Sequence, residues 1–211
     1  MNCASQENSP ATDPRIAFFD HRAPTWDQTG PDPAATLRRL QELNGRLGLR
    51  AGQNVLEVGC GTGQITGWLA EKVKPGKVVA ADFSPAMLAQ AQARGLEAEF
   101  VLMDICGEGA VRRPFDAVLC FHSFPHFRDQ AAALRQIARH LKPGGQLVVL
   151  HLVGSAQLNA FHHKVGGPVG HDHLPPVSHW PELLRPAGLQ VTDAVDRDDL
   201  FLMKAELPSC G

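Results

Sequence analysis

No stretch of this 211-residue chain is apolar over the roughly twenty residues that a membrane span needs. Residues Met1 to Pro14 lack an apolar core, so they do not read as a secretory signal, and the reading expects a disordered tail there. Charge of one sign is absent too. Twenty basic against 22 acidic residues leave a formal charge of −2, which gives no electrostatic case for nucleic-acid binding. The five cysteines, Cys3, Cys60, Cys106, Cys120 and Cys210, include no C-x-x-C pair. An odd, scattered set fits a reducing cytoplasm better than a disulfide framework, and each reads as a small buried hydrophobe or a tail residue. No internal repeat is visible. What is left, 44% apolar and 20% charged, is an ordinary globular composition at a length suited to one domain over residues 15–211.

Short apolar runs alternate with helical patterns. Pro33 to Leu49 carries Leu37, Leu40, Leu43 and Leu47 at helical spacing. Strands are expected at Val55–Val58, Lys77–Ala81, Ala98–Met103, Phe115–Phe121 and Gln146–Leu152. Helices are expected at Gln64–Lys74, from Ser84-Pro85 to Arg94, and at Asp129–Leu141. This alternation implies an α/β fold whose parallel sheet is covered on both faces. Ligands in such sheets bind beyond the carboxyl ends of the strands, where Glu57, Asp82, Asp104 and Phe121 fall. Val153–Val177 shows no clear period and reads as a long loop on the acceptor side. A short helix at Ser178–Pro186 and a closing hairpin, Leu189–Val195 with Leu200–Leu207, complete the chain.

The run Val55 to Gly63 reads as a buried strand entering a glycine turn, with Glu57 two positions before Gly59. The spacing is G-x-G-x-G. The third glycine of the dinucleotide fingerprint is replaced by Gln64, so a pyrophosphate cofactor is disfavoured. Glu57 and the compact turn suit a zwitterionic, hydroxyl-rich nucleoside, S-adenosylmethionine. Asp82, 19 residues after Gly63, can accept from both ribose hydroxyls, or can merely cap the next helix. Phe83 would lie beside the adenine, with Met87 among the contacts. Asp104 could accept from the adenine amino group while Ile105 packs on the ring, or could simply end its strand.

Five stretches, VLEVGCGTG at 55–63, VVAADFSPAML at 78–88, FVLMDI at 100–105, FDAVLCFHSFPHF at 115–127 and LKPGGQLVVLHL at 141–152, resemble the class I S-adenosylmethionine-dependent methyltransferases. The resemblance is to the small-molecule, methyltransferase type 11-like group. It implies a Rossmann-like, seven-stranded sheet with its last strand antiparallel. It further implies that Gly59, Cys60, Gly61 and Gly63 contact the methionine and ribose portions, that Glu57 reaches the methionine amino group, and that Phe121 lines the sulfonium. The segment 15–32, with Phe18, Phe19, Asp20, Trp26 and Asp27, resembles the lid of this group; a surface strap is the plainer reading.

Ten histidines are many for this length. His126 follows strand four, His151 ends strand five, and His162 and Asp172 lie in the 153–177 segment. These four could converge on a divalent metal such as zinc or iron. Alternatively one histidine, His126 or His151, acts as general base, or the set is only a solvated loop. A looser likeness to bacterial methyltransferases rests on His151, Asn159, His162, Asp172, Leu174 and Pro175. The expected activity is methyl transfer to a small-molecule acceptor by a cytoplasmic monomer or homodimer, without nucleic acid or membrane. The competing readings are a non-catalytic module that senses S-adenosylmethionine or a metal, and a thiol- or metalloid-directed enzyme using Cys60 or Cys120.

Overall fold

The computed structural model describes residues 13–107 and 114–209. The expected tail lies outside these as far as residue 12, as do Cys3 and Cys210. Asp13 and Pro14 are ordered, however: the Asp13 carboxylate caps helix α1 (Pro14–Arg22) by accepting from the Arg15 N–H.

Seven strands form one sheet in the order β3-β2-β1-β4-β5-β7-β6. They are β1 (Val55–Val58), β2 (Val78–Asp82), β3 (Glu99–Leu102), β4 (Phe115–Phe121), β5 (Leu141–His151), β6 (Gln190–Arg197) and β7 (Leu200–Glu206). The first five run parallel, and β7 is antiparallel to both β5 and β6. The expected seven-stranded sheet with an antiparallel strand is therefore present.

Strands β1 and β2 are buried throughout, as parallel strands covered on both faces must be. Pleating divides their side chains between two cores. Leu56, Val58, Val118 and Cys120 meet Leu134, Trp180 and Phe201 on one face. Val55, Ala117 and Leu119 meet Leu40, Leu47, Leu69 and Val73 on the other. The covering helices are α3 (Pro33–Leu47), α4 (Thr66–Val73), α5 (Pro85–Ala93) and α6 (Gln130–His140), with a four-residue α2 (Trp26–Thr29) after α1. Their ends follow from local chemistry. Gly48 takes φ 72 to close α3, Ser84 accepts the Met87 N–H and precedes proline at the start of α5, and Asp129 accepts the Ala132 N–H to open α6.

Two elements differ from expectation. Strand β5 begins at Leu141 rather than Gln146, because Lys142 to Gly145 bulge out while Leu141 still pairs with Phe115. The larger difference lies in the 153–177 segment. It contains an eleven-residue helix, α7 (Ser155–Val165), where a loop is expected. Its buried face carries Ser155 and His162 with half-buried Leu158 and Asn159, so the helical period exists but is written largely in polar residues. Asn159 then clamps the following loop by pairing with both backbone groups of Leu174, at 2.8 and 3.0 Å. Helix α8 (Trp180–Leu184) follows, with Trp180 fully buried and its indole N–H on the Pro175 carbonyl. Among the described residues no helix is long and apolar enough to cross a membrane.

Candidate active site

Strand order reverses between β1 and β4, and a cavity of about 610 Å³ opens beyond the carboxyl ends of the strands there. The glycine turn forms one wall. All three of its glycines have positive φ, but they serve different ends. A Cβ on Gly59 would stand 2.3 Å from Ser123 Cβ, so this glycine lets the end of β4 pack against the end of β1. The Ser123 hydroxyl then donates to the Val58 carbonyl at 2.6 Å. A Cβ on Gly61 would meet nothing within 4 Å, so its open side faces cavity space. Gly63 packs on Ala91 of α5 and does not line the cavity.

Two carboxyl groups lie beneath this turn. Asp82, 5% exposed, accepts the Ser84 N–H at 2.8 Å and the Gly61 N–H at 2.7 Å. Burial pushes its pKa up to about 6 against the pull of those N–H groups. Glu57 points to the α4 face of the sheet and accepts the Thr66 hydroxyl at 2.7 Å. Burial, helped by the neighbouring Asp82 charge, pushes it up to about 8 although the Thr66 bond opposes the shift. Phe83, Met87 and Ile105 line the cavity beyond Asp82. Asp104 lines it too and is held by the Cys106 N–H and by Arg128, each at 2.8 Å.

Helix α1 and its continuation cross the same wall. Asp20 accepts the Ser84 hydroxyl at 2.5 Å and the Ala86 N–H at 3.1 Å. Asp27 accepts from the Thr62 hydroxyl and Gln64, and pairs with Arg94. Phe19 is buried edge-on against Trp26, Phe83 and His126, with ring centroids 5.0 to 5.7 Å away.

Imidazoles make the opposite wall. His126 Nδ1 lies 2.6 Å from Asp172 Oδ2, while Arg15 of α1 reaches Asp172 Oδ1 at 3.3 Å. His162 directs its Nδ1 to the Asp172 carbonyl at 3.0 Å, and its ring lies 5.0 Å from that of His126. His151 is 1% exposed, lines the cavity, and has no partner for either ring nitrogen. His122 takes the unusual φ of 54° and accepts the Leu152 N–H, with its ring edge-on to His151 at 5.1 Å. Burial lowers His122 to about 4 and holds His151 well below the ordinary imidazole range, so both are neutral at pH 7.

His126, His151 and His162 thus share a wall, whereas Asp172 stands behind it with both oxygens engaged. The four do not close into a metal site. Two of the imidazole nitrogens are committed to Asp172, and among the described residues no group of three or more His, Cys, Asp or Glu could hold a metal ion. Thiol chemistry finds no support either: burial raises Cys60 and Cys120 far above the thiolate range. Sequence reasoning missed Ser123, Thr66, Arg15 and, on α7, the cavity-lining Gln157 and Phe161. For the last two, the spacing of Ser155, Leu158, Asn159 and His162 is the signal that could have found them.

Residues 55–145 match the methyltransferase domain family. A demethylmenaquinone methyltransferase of Thermus thermophilus is 40% identical over 105 residues, covering 48% of each chain. The methyltransferase GfsG of Streptomyces halstedii is 31% identical over 186 residues, covering 81% of this chain and 65% of its own. The chain therefore spans about half to two thirds of the length of these relatives. The solved structure of DhpI in complex with SAH superposes with a TM-score of 0.70 at 22% identity, covering 92% of this chain and 95% of that one. Residues 55–145 thus carry a methyltransferase domain, set in a seven-stranded sheet whose fold DhpI shares.

Proposed function

We propose that this protein transfers the methyl group of S-adenosylmethionine to an oxygen of a small neutral acceptor. The observation that carries this reading is that one cavity joins the glycine wall to the histidine wall. The donor set fits the cofactor: Gly61 leaves room for close backbone approach, Asp82 offers a buried carboxylate for ribose hydroxyls, and Glu57 offers a buried carboxyl group that releases its proton when an ammonium group sits against it. Phe83, Met87 and Ile105 supply apolar surface for the base, and Asp104 an acceptor at its edge. Phe121 lines the stretch of cavity between the two walls.

When bound, the cofactor supplies a methyl group on a positively charged sulfur. His126, oriented by Asp172 at Nδ1, takes the acceptor's hydroxyl proton at Nε2 as the new O–CH₃ bond forms and the S–CH₃ bond breaks. Asp172 holds the ring in that tautomer, and Arg15 holds Asp172. Neutral His151 and His122 add no positive charge beside the sulfonium. Phe19 and Trp26 of the α1–α2 segment, with Phe161 of α7, shield the reacting atoms from water.

Calorimetry with S-adenosylmethionine, followed by incubation of the loaded protein with phenolic acceptors and labelled methyl donor, tests the reading. Stoichiometric binding and labelled ether product are expected. Binding without product from any hydroxyl acceptor would sink it.

A further inference from the structure

His151 is an anomaly in a protein whose other site groups are paired. Buried polar atoms almost always find hydrogen-bond partners, and each exception calls for an explanation. Among the described residues, Asn44 and His140 each leave one buried atom unpartnered, and neither lines the cavity. His151 leaves both ring nitrogens unpartnered and does line it. The ring sits at the carboxyl end of β5 between His122 and Phe201, 5.1 and 6.1 Å away. His122 is held in a left-handed backbone conformation that non-glycine residues rarely adopt, a kind of strain that gathers at ligand sites.

We propose that His151 is the recognition group for a second, uncharged oxygen of the acceptor, one that is not methylated. This rests on the methyl-transfer reading and narrows its substrate class to hydroxy-aromatics bearing another hydroxyl or a carbonyl. A neutral imidazole presents one N–H donor and one lone pair, which matches a hydroxyl in either sense and a carbonyl through the donor. An acceptor carboxylate beside His151 would be buried among neutral rings: of the two arginines that line the cavity, Arg128 is engaged by Asp104, and Arg22 is solvent-exposed and stacks on Phe18. A second cation would meet the sulfonium. The rings of Phe121 and His122 next to His151, with Phe161 elsewhere on the cavity lining, suit a flat acceptor. Sites built to hydrogen-bond a substrate hydroxyl discriminate strongly against the analogue that lacks it, because their own buried groups are then left unpaired.

The test measures binding of catechol and of phenol to the protein loaded with S-adenosylhomocysteine. Calorimetry gives the affinities, and ¹⁵N NMR reads the His151 ring nitrogens. Catechol should bind at least about tenfold tighter than phenol, and its saturation should move the His151 resonances. In His151→Phe the preference should fall to within about twofold with phenol affinity kept, and His151→Asn should retain part of it. Equal affinities in the wild type would overturn the proposal. So would a preference that survives His151→Phe, saturation with no shift at His151, or no binding of either phenol. Should His151→Phe fail to fold, the wild-type shifts and affinities still decide. Catechol preference without methylated product would leave this subsite standing and remove the methyl-transfer reading; product formed equally from both phenols would do the reverse.

Discussion

The two walls of the cavity are built on different principles. On the glycine wall polar atoms are already paired: Asp82 with two backbone N–H groups, Glu57 with Thr66, Asp104 with Cys106 and Arg128. On the histidine wall His151 has no partner and His126 is held through one nitrogen. The first wall is preorganised by the backbone, and a ligand there adds to or replaces existing bonds. The second retains hydrogen-bonding capacity for whatever enters. Substitutions should separate them accordingly. The largest effect is expected for His126→Ala. Turnover should fall by about 10²- to 10⁴-fold, the usual worth of a general base, with S-adenosylmethionine affinity unchanged. A parallel loss of cofactor affinity in calorimetry would show that the walls are not independent.

Next in size is Gly59→Ala. The left-handed backbone costs an L-residue roughly 1–2 kcal/mol, and forcing a methyl against Ser123 adds about 1–3 kcal/mol of overpacking. Urea unfolding should therefore show a loss of about 2–5 kcal/mol. Ser123→Gly in the same chain should recover the packing part and leave the backbone part. Gly61→Ala, with open space at its Cβ, should lose only about 1–2 kcal/mol and should instead weaken cofactor binding. Equal stability losses at the two glycines would erase the distinction between a packing glycine and a cavity glycine.

That distinction also marks how far the sequence could be read. Glycine-turn geometry, strand-end carboxylates and helix caps are local features, so Gly61, Asp82 and Ser84 announce themselves by residue type and spacing. The central strands follow from apolar runs bounded by turns, whereas the edge strand β6, mostly polar and exposed, follows only from its place in the closing hairpin. Gly63 misleads because its neighbours in space, Ala91 and Leu96, are not its neighbours in sequence, and only packing shows that it serves a helix contact. Helix α7 was hidden for a different reason. Its buried face uses Ser155, Asn159 and His162, and a periodicity search weighted toward apolar residues passes over such a face. The histidines are visible as a group, but that His126 turns to the Asp172 carboxylate and His162 to the Asp172 carbonyl, rather than both to a metal, depends on where Asp172 lies. Its place is set by the Asn159 clamp and by Arg15, 157 residues away in the chain.

The walls should also respond to pH in opposite directions. Glu57 titrates near 8 in the folded protein against an ordinary 4.5. Between those values the folded state keeps a proton that the unfolded chain has released, so stability falls as pH rises from 4.5 to 8. Glu57→Gln removes that loss while preserving an acceptor for Thr66. The ligand-free variant should exceed the wild type at pH 9 by more than about 1.4 kcal/mol, the worth of one pKa unit, and the gap should close by pH 5. His122, lowered to about 4, works the other way. The unfolded chain binds the proton first, so stability falls as pH drops from 6.5 toward 4. Urea midpoints across pH 5 to 9 read both limbs, and a pH-independent difference for Glu57→Gln would contradict the burial argument.

The smallest effect tests an element that touches both walls. Helix α1 and its continuation hold the glycine side through Asp20 and Asp27 and the histidine side through Arg15. Arg15 is a positioning residue: it lies 3.3 Å from Asp172, which in turn orients His126. Arg15→Leu removes a partly buried ion pair, so about 1 kcal/mol, or roughly fivefold in kcat, is expected. Cofactor affinity should hold, because Asp20 and Asp27 remain. Arg15→Lys should recover part of kcat, since an ammonium can still meet one carboxylate oxygen. If Arg15→Leu instead weakens cofactor binding with kcat intact, α1 acts as a single lid over the glycine wall. The coupling of that lid to His126 would then have to run through the Phe19–His126 ring contact rather than through Asp172.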